Sequence, residues 1–461
     1  MPDCYHLARC SSSPNAAVLS CDALHRHGSM HLVAPIRPTL LTRQRFAMEN
    51  VAPRPEDLFH ESPKVRHRYL LLSPIPTFVD KAGGIWLDDL WHKDFARHFP
   101  YIEQLTLASP VVPLTEETGL SPLQADLAER LTLVALPSST SFAQAIKDLP
   151  RLSGQLWKAV GSCDILHSSV VGWPIPPGWI GNSIALMRRK KLVMVVESAP
   201  WRRFDAVATS FKHRLRNSIN EYLAKFFVGA ADITFVTHPG YETSFRKHPD
   251  DKIYVTPASW IDAANILSSS VAAAQWQQKS GEPVRFLFAG RLHPHKGVAV
   301  LLEALALADQ EGVHVAVDFI GEGELREQIV ATAARLKTVK IRALEPVSYG
   351  EAFMGLLQQY HAVIVPSVSD EQPRIIFDAF SQAVPLVASN TLGLSSYISD
   401  EGNGFLCPPG DVAGLKDVLV RLTHNPATLR DAGLRARESA SRYTHEAMHA
   451  HRHKLLLQAF G

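Results

Sequence analysis

The carboxylates Asp370 and Asp378 are the first residues to ask for a chemical explanation. They stand with seven residues between them and Pro373 in the gap, in PSVSDEQPRIIFDAFSQAVPLVAS (366–389), between the apolar runs Ala362–Val365 and Leu386–Ala388. The first run reads as a buried strand that delivers Ser367–Gln372 to a sheet edge. Pro373 suits the first position of a helix, and Ile375, Ile376, Ala379, Phe380 and Ala383 make one helical stripe for the core. A helix start carries free backbone N–H groups and a positive dipole end, which suit an anion. Asp370, just before that start, is stabilising in any protein; Asp378 interrupts an apolar face and needs a partner.

Two cations stand at a comparable place upstream. In FAGRLHPHKG (288–297) a buried strand ends at Gly290 and a helix starts near Gly297, so Arg291 and Lys296 project from a strand-to-helix loop. Arg supplies a fork of donors and Lys a point charge, a pair suited to a diphosphate; two solvated loop cations are the ordinary alternative. In FIGEGELREQI (319–329) Gly321 and Gly323 permit close backbone approach to a ligand. The run is not a dinucleotide fingerprint, because Arg326 stands at the third glycine position.

The elements that hold these loops alternate. RYLLLSPI, then KAGG, then Ile85–Phe95 read as strand, glycine turn and helix; LTLVAL (131–136), CDILH (163–167), KLVMVVES (191–198), ADITFVT (231–237) and KIYVTP (252–257) read as strands. Helices are expected at 142–160 and, long and basic, at 205–228. A second series runs through 284–290, 313–321, 339–344, 362–367, 385–389 and 404–408, with helices at 298–307 and 325–336 and a helical tail after Asp411, a cap. Apolar strands separated by helices give a parallel sheet covered on both faces. The expected fold is α/β: two Rossmann-like doubly wound domains facing across a cleft, with strand carboxyl ends toward it. The expected division is a disordered extension over 1–65, a first domain over 66–262, a linker over 263–283, a second domain over 284–440, and a terminal helix over 441–461 that crosses back to the first domain.

Composition bounds the function. The 461 residues carry 47 basic and 45 acidic side chains, a net charge of +2, which argues against nucleic acid as the main partner. Five cysteines, three of them at positions 4, 10 and 21, form neither a disulfide framework nor a zinc spacing and suit a reducing, cytoplasmic setting. No apolar run reaches the ~18–20 residues of a membrane span, and the start lacks a secretory signal pattern.

Taken in order, GRLHPHKG (290–297), IGEGELR (320–326), PSVSDEQPRIIFDAF (366–380) and GFLCPPGDVAGL with LTHNPATLRDAG (404–433) resemble the nucleotide-sugar half of GT-B glycosyltransferases, most closely the large retaining family 4, the group 1 glycosyl transferases, of the kind that build bacterial polysaccharides and glycoconjugates. The resemblance covers roughly 284–440; in the first half it rests on Ala82-Gly83-Gly84 and strand order. It implies a nucleoside-diphosphate sugar as donor, a glycan or lipid-linked hydroxyl as acceptor, retention of configuration, and neither cofactor nor bound metal. Arg291, Lys296 and the backbone around Arg374 and Ile375 would meet the diphosphate. Asp378 would hold the ribose and Asp370 the transferred sugar. Gly321, Gly323 and Leu325 would lie near the nucleoside, and Gly83 and Gly84 near donor or acceptor. The family usually has glutamates at both carboxylate positions and glycine at 373. Many relatives place a histidine after a mid-domain strand near the reacting carbon; here Glu197 and His167 are the candidates.

The basic tracts RRKK (188–191) and RRFDAVATSFKHRLR (202–216) suit either a solvated face or an anionic membrane and lipid-linked diphosphate, the latter placing the protein peripherally on the inner face of a membrane. In HEAMHAHRHK (445–454), His445, His449 and His453 share a helix face, read as a polar face with metal ligation as the alternative. Two rival readings are a nucleotide-sugar epimerase of the same fold and a sugar-nucleotide-binding protein without activity, the latter suggested by the shortened acids and Pro373.

Overall fold

The computed structural model describes residues 63–172, 174–203, 211–279 and 283–461. The extension expected over 1–65, with Cys4, Cys10 and Cys21, lies outside these residues up to position 62, and so do 204–210 of the basic helix. Among the described residues two large sheets form.

The second sheet is wholly parallel, in the order Lys340–Leu344, Ala316–Ile320, Arg285–Ala289, Ala362–Val365, Leu386–Ser389, Gly404–Cys407. Numbered along the chain this is 3-2-1-4-5-6, the doubly wound order whose ligand crevice opens where the strand order reverses. The reversal falls between Arg285–Ala289 and Ala362–Val365, so the loops after these strands, 290–297 and 366–374, face one another. The sheet's strands are apolar because both faces are covered: Phe286, Phe288 and Phe319 pack with Leu301, Leu305 and Leu419 on one side, and Leu287, Val363 and Leu386 with Phe377 and Phe380 on the other.

The first sheet has the same parallel heart. Leu131–Leu136, Ile102–Pro113, Val65–Leu72, Ile165–Ser169, Lys191–Val196, Ile233–Val236 and Ile253–Val255 follow one another across it. It departs from the expected parallel sheet at one edge. Ile102–Pro113 was not read as a strand, and it extends into a mixed flap in which Thr77–Val79 and Ile85–Asp88 form an antiparallel hairpin. The glycine turn at 81–84 is therefore a hairpin turn and not a strand-to-helix turn. Asp80 closes it, accepting from Ala82 and Gly84 N–H at 2.8 Å each and from Trp86 Nε1 at 3.0 Å.

The span 262–282 holds a short turn at Ala263–Asn265 and the helix Ser269–Gln278. The last helix, His445–Phe460, lies on the first sheet's side. Glu446 pairs with Arg97 at 2.9 Å, and His453 Nε2 reaches the Pro63 carbonyl at 2.8 Å. Its histidine face is buried, not solvated, with His445 and His449 0% exposed. Cys163 and Cys407 are buried free thiols.

Candidate active site

The strand Ala362–Val365 is AVIV, buried at every position, and its exit carries the chain over Pro366 to the crevice. Val368 N–H donates to the His295 carbonyl at 3.0 Å, which fixes the two crevice loops side by side. Gly297 makes this possible. Its φ is +75°, and a Cβ there would lie 1.8 Å from the Pro366 carbonyl oxygen. Gly321 and Gly323 serve the same close packing: a Cβ on Gly321 would meet the Gly290 carbonyl oxygen at 1.9 Å. Leu325 accordingly packs against the second domain's core, its N–H donating to the Leu292 carbonyl at 3.1 Å.

Arg291 and Lys296 lie on the first of these loops, and both charges act on Glu371 of the second. Lys296 is bound by the carboxylate of Glu371, and both side chains are mostly buried. Burial pushes the Glu371 carboxyl up, but Lys296, with His295 and Arg291 behind it, outweighs that and holds it below the ordinary glutamate value. An internal carboxylate thus lies on the lysine of the cation pair. Glu371 adjoins Asp370 in sequence; its signal was the pairing of an acid with Lys296 across the two loops, which spacing cannot reveal.

The helix after Pro373 begins at Ile375, with Arg374 as its capping position, and runs to Ser381. The expected single core stripe was too narrow. Ile376 through Ser381 are all buried, Asp378 among them at 4% exposure. Asp378 accepts from the Tyr349 hydroxyl at 2.8 Å, and burial pushes its pKa up to about 7 in spite of that bond and the nearby charges of Arg374 and Lys93. Arg374 stacks its guanidinium 3.5 Å from the Trp260 ring centroid and reaches Glu197 at 3.5 Å. Glu197 comes from the first domain, so these two candidates meet across the cleft.

Asp370 faces the first domain. Its carboxylate accepts from Gly393 N–H at 3.0 Å, its carbonyl accepts from the Tyr241 hydroxyl, and burial raises its pKa. His238 Nε2 lies 4.0 Å from Asp370 Oδ1, and neither of its ring nitrogens has a hydrogen-bond partner among the described residues. Around this point the domains are stitched together. Ser198–Arg203 pairs antiparallel with Ser369–Glu371, and Gln372 exchanges hydrogen bonds with the Ala258 backbone at 2.7 and 3.2 Å.

Residues 272–439 match the model of the family described as glycosyl transferases group 1. A glycogen synthase of Mycobacterium tuberculosis is 26% identical over 185 residues, which is 39% of this chain and 44% of that protein, so the chain spans less than half of that relative's length. Sucrose-phosphate synthase from Thermosynechococcus elongatus superposes over 86% of this chain and 99% of its own, with 16% identity and a TM-score of 0.62. The fold is GT-B. Anabaena HepE, solved in complex with UDP and glucose, superposes over 85% of this chain and 100% of its own at 18% identity and a TM-score of 0.57.

Within the GT-B frame, Lys296 and Arg291 act on Glu371, Arg374 lies between Glu197 and Asp378 at the start of the helix that Ile375 opens, and Asp370 turns toward Gly393 and His238. His167 is not among them. It points into the first domain's interior, where its Nδ1 is 3.0 Å from the Tyr69 hydroxyl and its ring packs on His98; burial holds its pKa well below the ordinary value. This corrects the reading of His167 as a catalytic candidate, since a strand residue faces one side only and this one faces the core. His238, at the exit of Ile233–Val236, is the histidine at the domain junction. The signal for it was THPG directly after an apolar strand. Gly83 and Gly84 sit in the Asp80-closed hairpin described above, which accounts for their glycines by turn geometry.

Proposed function

We propose that the chain transfers a sugar from a nucleoside-diphosphate sugar to a hydroxyl acceptor. The observation that carries this reading is the placement of the cations Arg291 and Lys296 on one loop, and of the buried Asp378 on the helix after the other, at the switch point of a GT-B sheet, in a segment similar to the group 1 glycosyl transferases. Lys296 and Arg291 stabilise the charge that develops on the leaving diphosphate as the bond from the anomeric carbon to phosphate oxygen breaks, by electrostatic preorganisation. The acceptor hydroxyl attacks the same face and passes its proton to the departing phosphate oxygen, which retains configuration. Asp378 accepts from the ribose hydroxyls. Asp370 and Glu197 border the position of the sugar.

A screen of UDP-, GDP- and ADP-sugars for thermal stabilisation and slow donor hydrolysis tests the reading. One base should raise the unfolding midpoint and release free sugar, and the response should be lost in Lys296→Ala. Absence of stabilisation by any donor overturns it.

The acceptor side of this proposal is an anionic membrane carrying a lipid-linked acceptor. Along the helix Phe211–Ala230, Phe211, Leu215, Ile219, Tyr222 and Phe226 recur every three to four residues and are all exposed, from 45% for Ile219 to 78% for Phe211. Lys212 and Arg214 are exposed beside them. An apolar stripe with cationic flanks fits the interface of an anionic bilayer. The helix is anchored next to the cleft, since Glu221 accepts from Arg202 at 2.7 and 2.8 Å and from Trp201 Nε1 at 2.8 Å. No helix among the described residues is long and apolar enough to cross a membrane. Co-sedimentation with vesicles containing phosphatidylglycerol should exceed that with phosphatidylcholine alone and fall severalfold in Leu215→Ser/Ile219→Ser. Equal, low binding to both vesicle types removes the membrane from the proposal.

A further inference from the structure

The helix Asp89–Ala96 of the first domain and the terminal helix His445–Phe460 meet at three side chains that the transfer reaction does not use. Asp94 Oδ1 lies 3.1 Å from His445 Nε2 and 3.3 Å from His449 Nε2, and the three ligand atoms lie within 4.8 Å of one another. A tetrahedral ion with bonds of ~2.0–2.1 Å to nitrogen and oxygen has edges of about 3.3 Å. The two carboxylate-to-imidazole distances therefore already have the length of such edges.

The convergence follows from sequence and fold. His445 and His449 are four residues apart on one helix, hence on one face, and Thr444 caps that helix by accepting from Ala447 N–H at 3.2 Å. His449 Nδ1 is 3.1 Å from the Tyr101 hydroxyl, an outer partner that leaves Nε2 for the ion. Both imidazoles are 0% exposed, whereas the Asp94 side chain keeps 13% of its surface.

We propose that Asp94, His445 and His449 bind one divalent transition-metal ion that clamps the terminal helix to the first domain. Two imidazoles and a carboxylate select zinc, cobalt or nickel over magnesium or calcium, which take oxygen ligands. Its three ligands are not among the residues assigned to the donor, and its role is to hold the helix that returns from the second domain to the first.

The test uses the full chain, stripped with chelator and titrated with Co²⁺ and Zn²⁺. The expected result is one equivalent bound, with the visible bands of four- or five-coordinate cobalt and without the near-ultraviolet charge-transfer band that ligation by Cys4, Cys10 or Cys21 would give. That equivalent should be lost in His445→Gln and, separately, in Asp94→Asn, which keeps an acceptor oxygen for the histidines. Zn²⁺ should raise the unfolding midpoint of the wild type by several degrees and leave both variants unmoved. Absence of stoichiometric binding by the wild type, or an equivalent that survives in both variants, overturns the proposal.

Discussion

Replacing Asp378 with Asn should raise the thermal unfolding midpoint at about pH 8 by several degrees and at the same time weaken donor binding about 10- to 100-fold, the value of a charged hydrogen bond of ~1.5–3 kcal/mol. The stability half follows from burial. The Asp378 pKa is about 7 in the folded protein and about 3.9 in an unfolded chain. The folded state therefore prefers the protonated acid. The stability this group contributes is fully present below the unfolded value and is lost as pH rises through about 7. At about 1.4 kcal/mol per pKa unit, the ionised form costs on the order of 4 kcal/mol at alkaline pH. Asn carries no charge to bury and still accepts from Tyr349, so the advantage of the variant should be largest near pH 8 and shrink toward pH 5. The binding half follows from the proposed ribose role. A carboxylate kept in a buried place that raises its pKa is a candidate for a ligand-binding role. Unfolding scans and donor titrations on the same two proteins check both halves. A stabilised variant with unchanged donor affinity would show that Asp378 does not hold the ribose.

Much of this arrangement is legible in the sequence. The second domain's strands were readable because a parallel sheet covered on both faces needs continuous apolar runs, and AVIV, RFLFA and PLVAS are such runs. Its crevice loops were readable because Arg291, Lys296 and Gly297 fall directly after one of them. The first domain was harder. Ile102–Pro113 mixes Glu103, Gln104 and Thr106 into a strand and hides its period, and the hairpin around Gly83 uses the same glycines a strand-to-helix turn would use. What the sequence could not carry was contact between distant segments. Nothing local distinguishes Glu371 from Asp370, yet Glu371 lies on Lys296 while Asp370 turns to Gly393 and His238. His167 and His238 each follow a buried strand segment. Only the packing shows that the first is walled in by Tyr69 and His98 and that the second stands at the domain junction.

The contact between Glu371 and Lys296 bears on donor affinity. In the proposed donor site a diphosphate and the Glu371 carboxylate would compete for one ammonium, so donor binding would include the cost of breaking a mostly buried ion pair. Glu371→Gln removes the competing charge and keeps the side chain's length and a hydrogen-bonding oxygen. The expected result is donor affinity increased about tenfold, the equivalent of ~1.4 kcal/mol recovered from a charge-assisted bond. Lys296→Ala should move affinity the other way, about 10- to 100-fold weaker, because it removes the cation that the diphosphate needs. In Lys296→Ala the further change Glu371→Gln should add almost nothing, since the pair is already broken; that non-additivity is what a double-mutant cycle reads. Calorimetric titration with the nucleoside diphosphate alone is enough, as the sugar takes no part in this contest. Weaker binding by Glu371→Gln would mean that Glu371 positions Lys296 for the donor and does not compete with it. Unchanged affinity with reduced turnover would place Glu371 beside the transferred sugar, in the role assigned to Asp370.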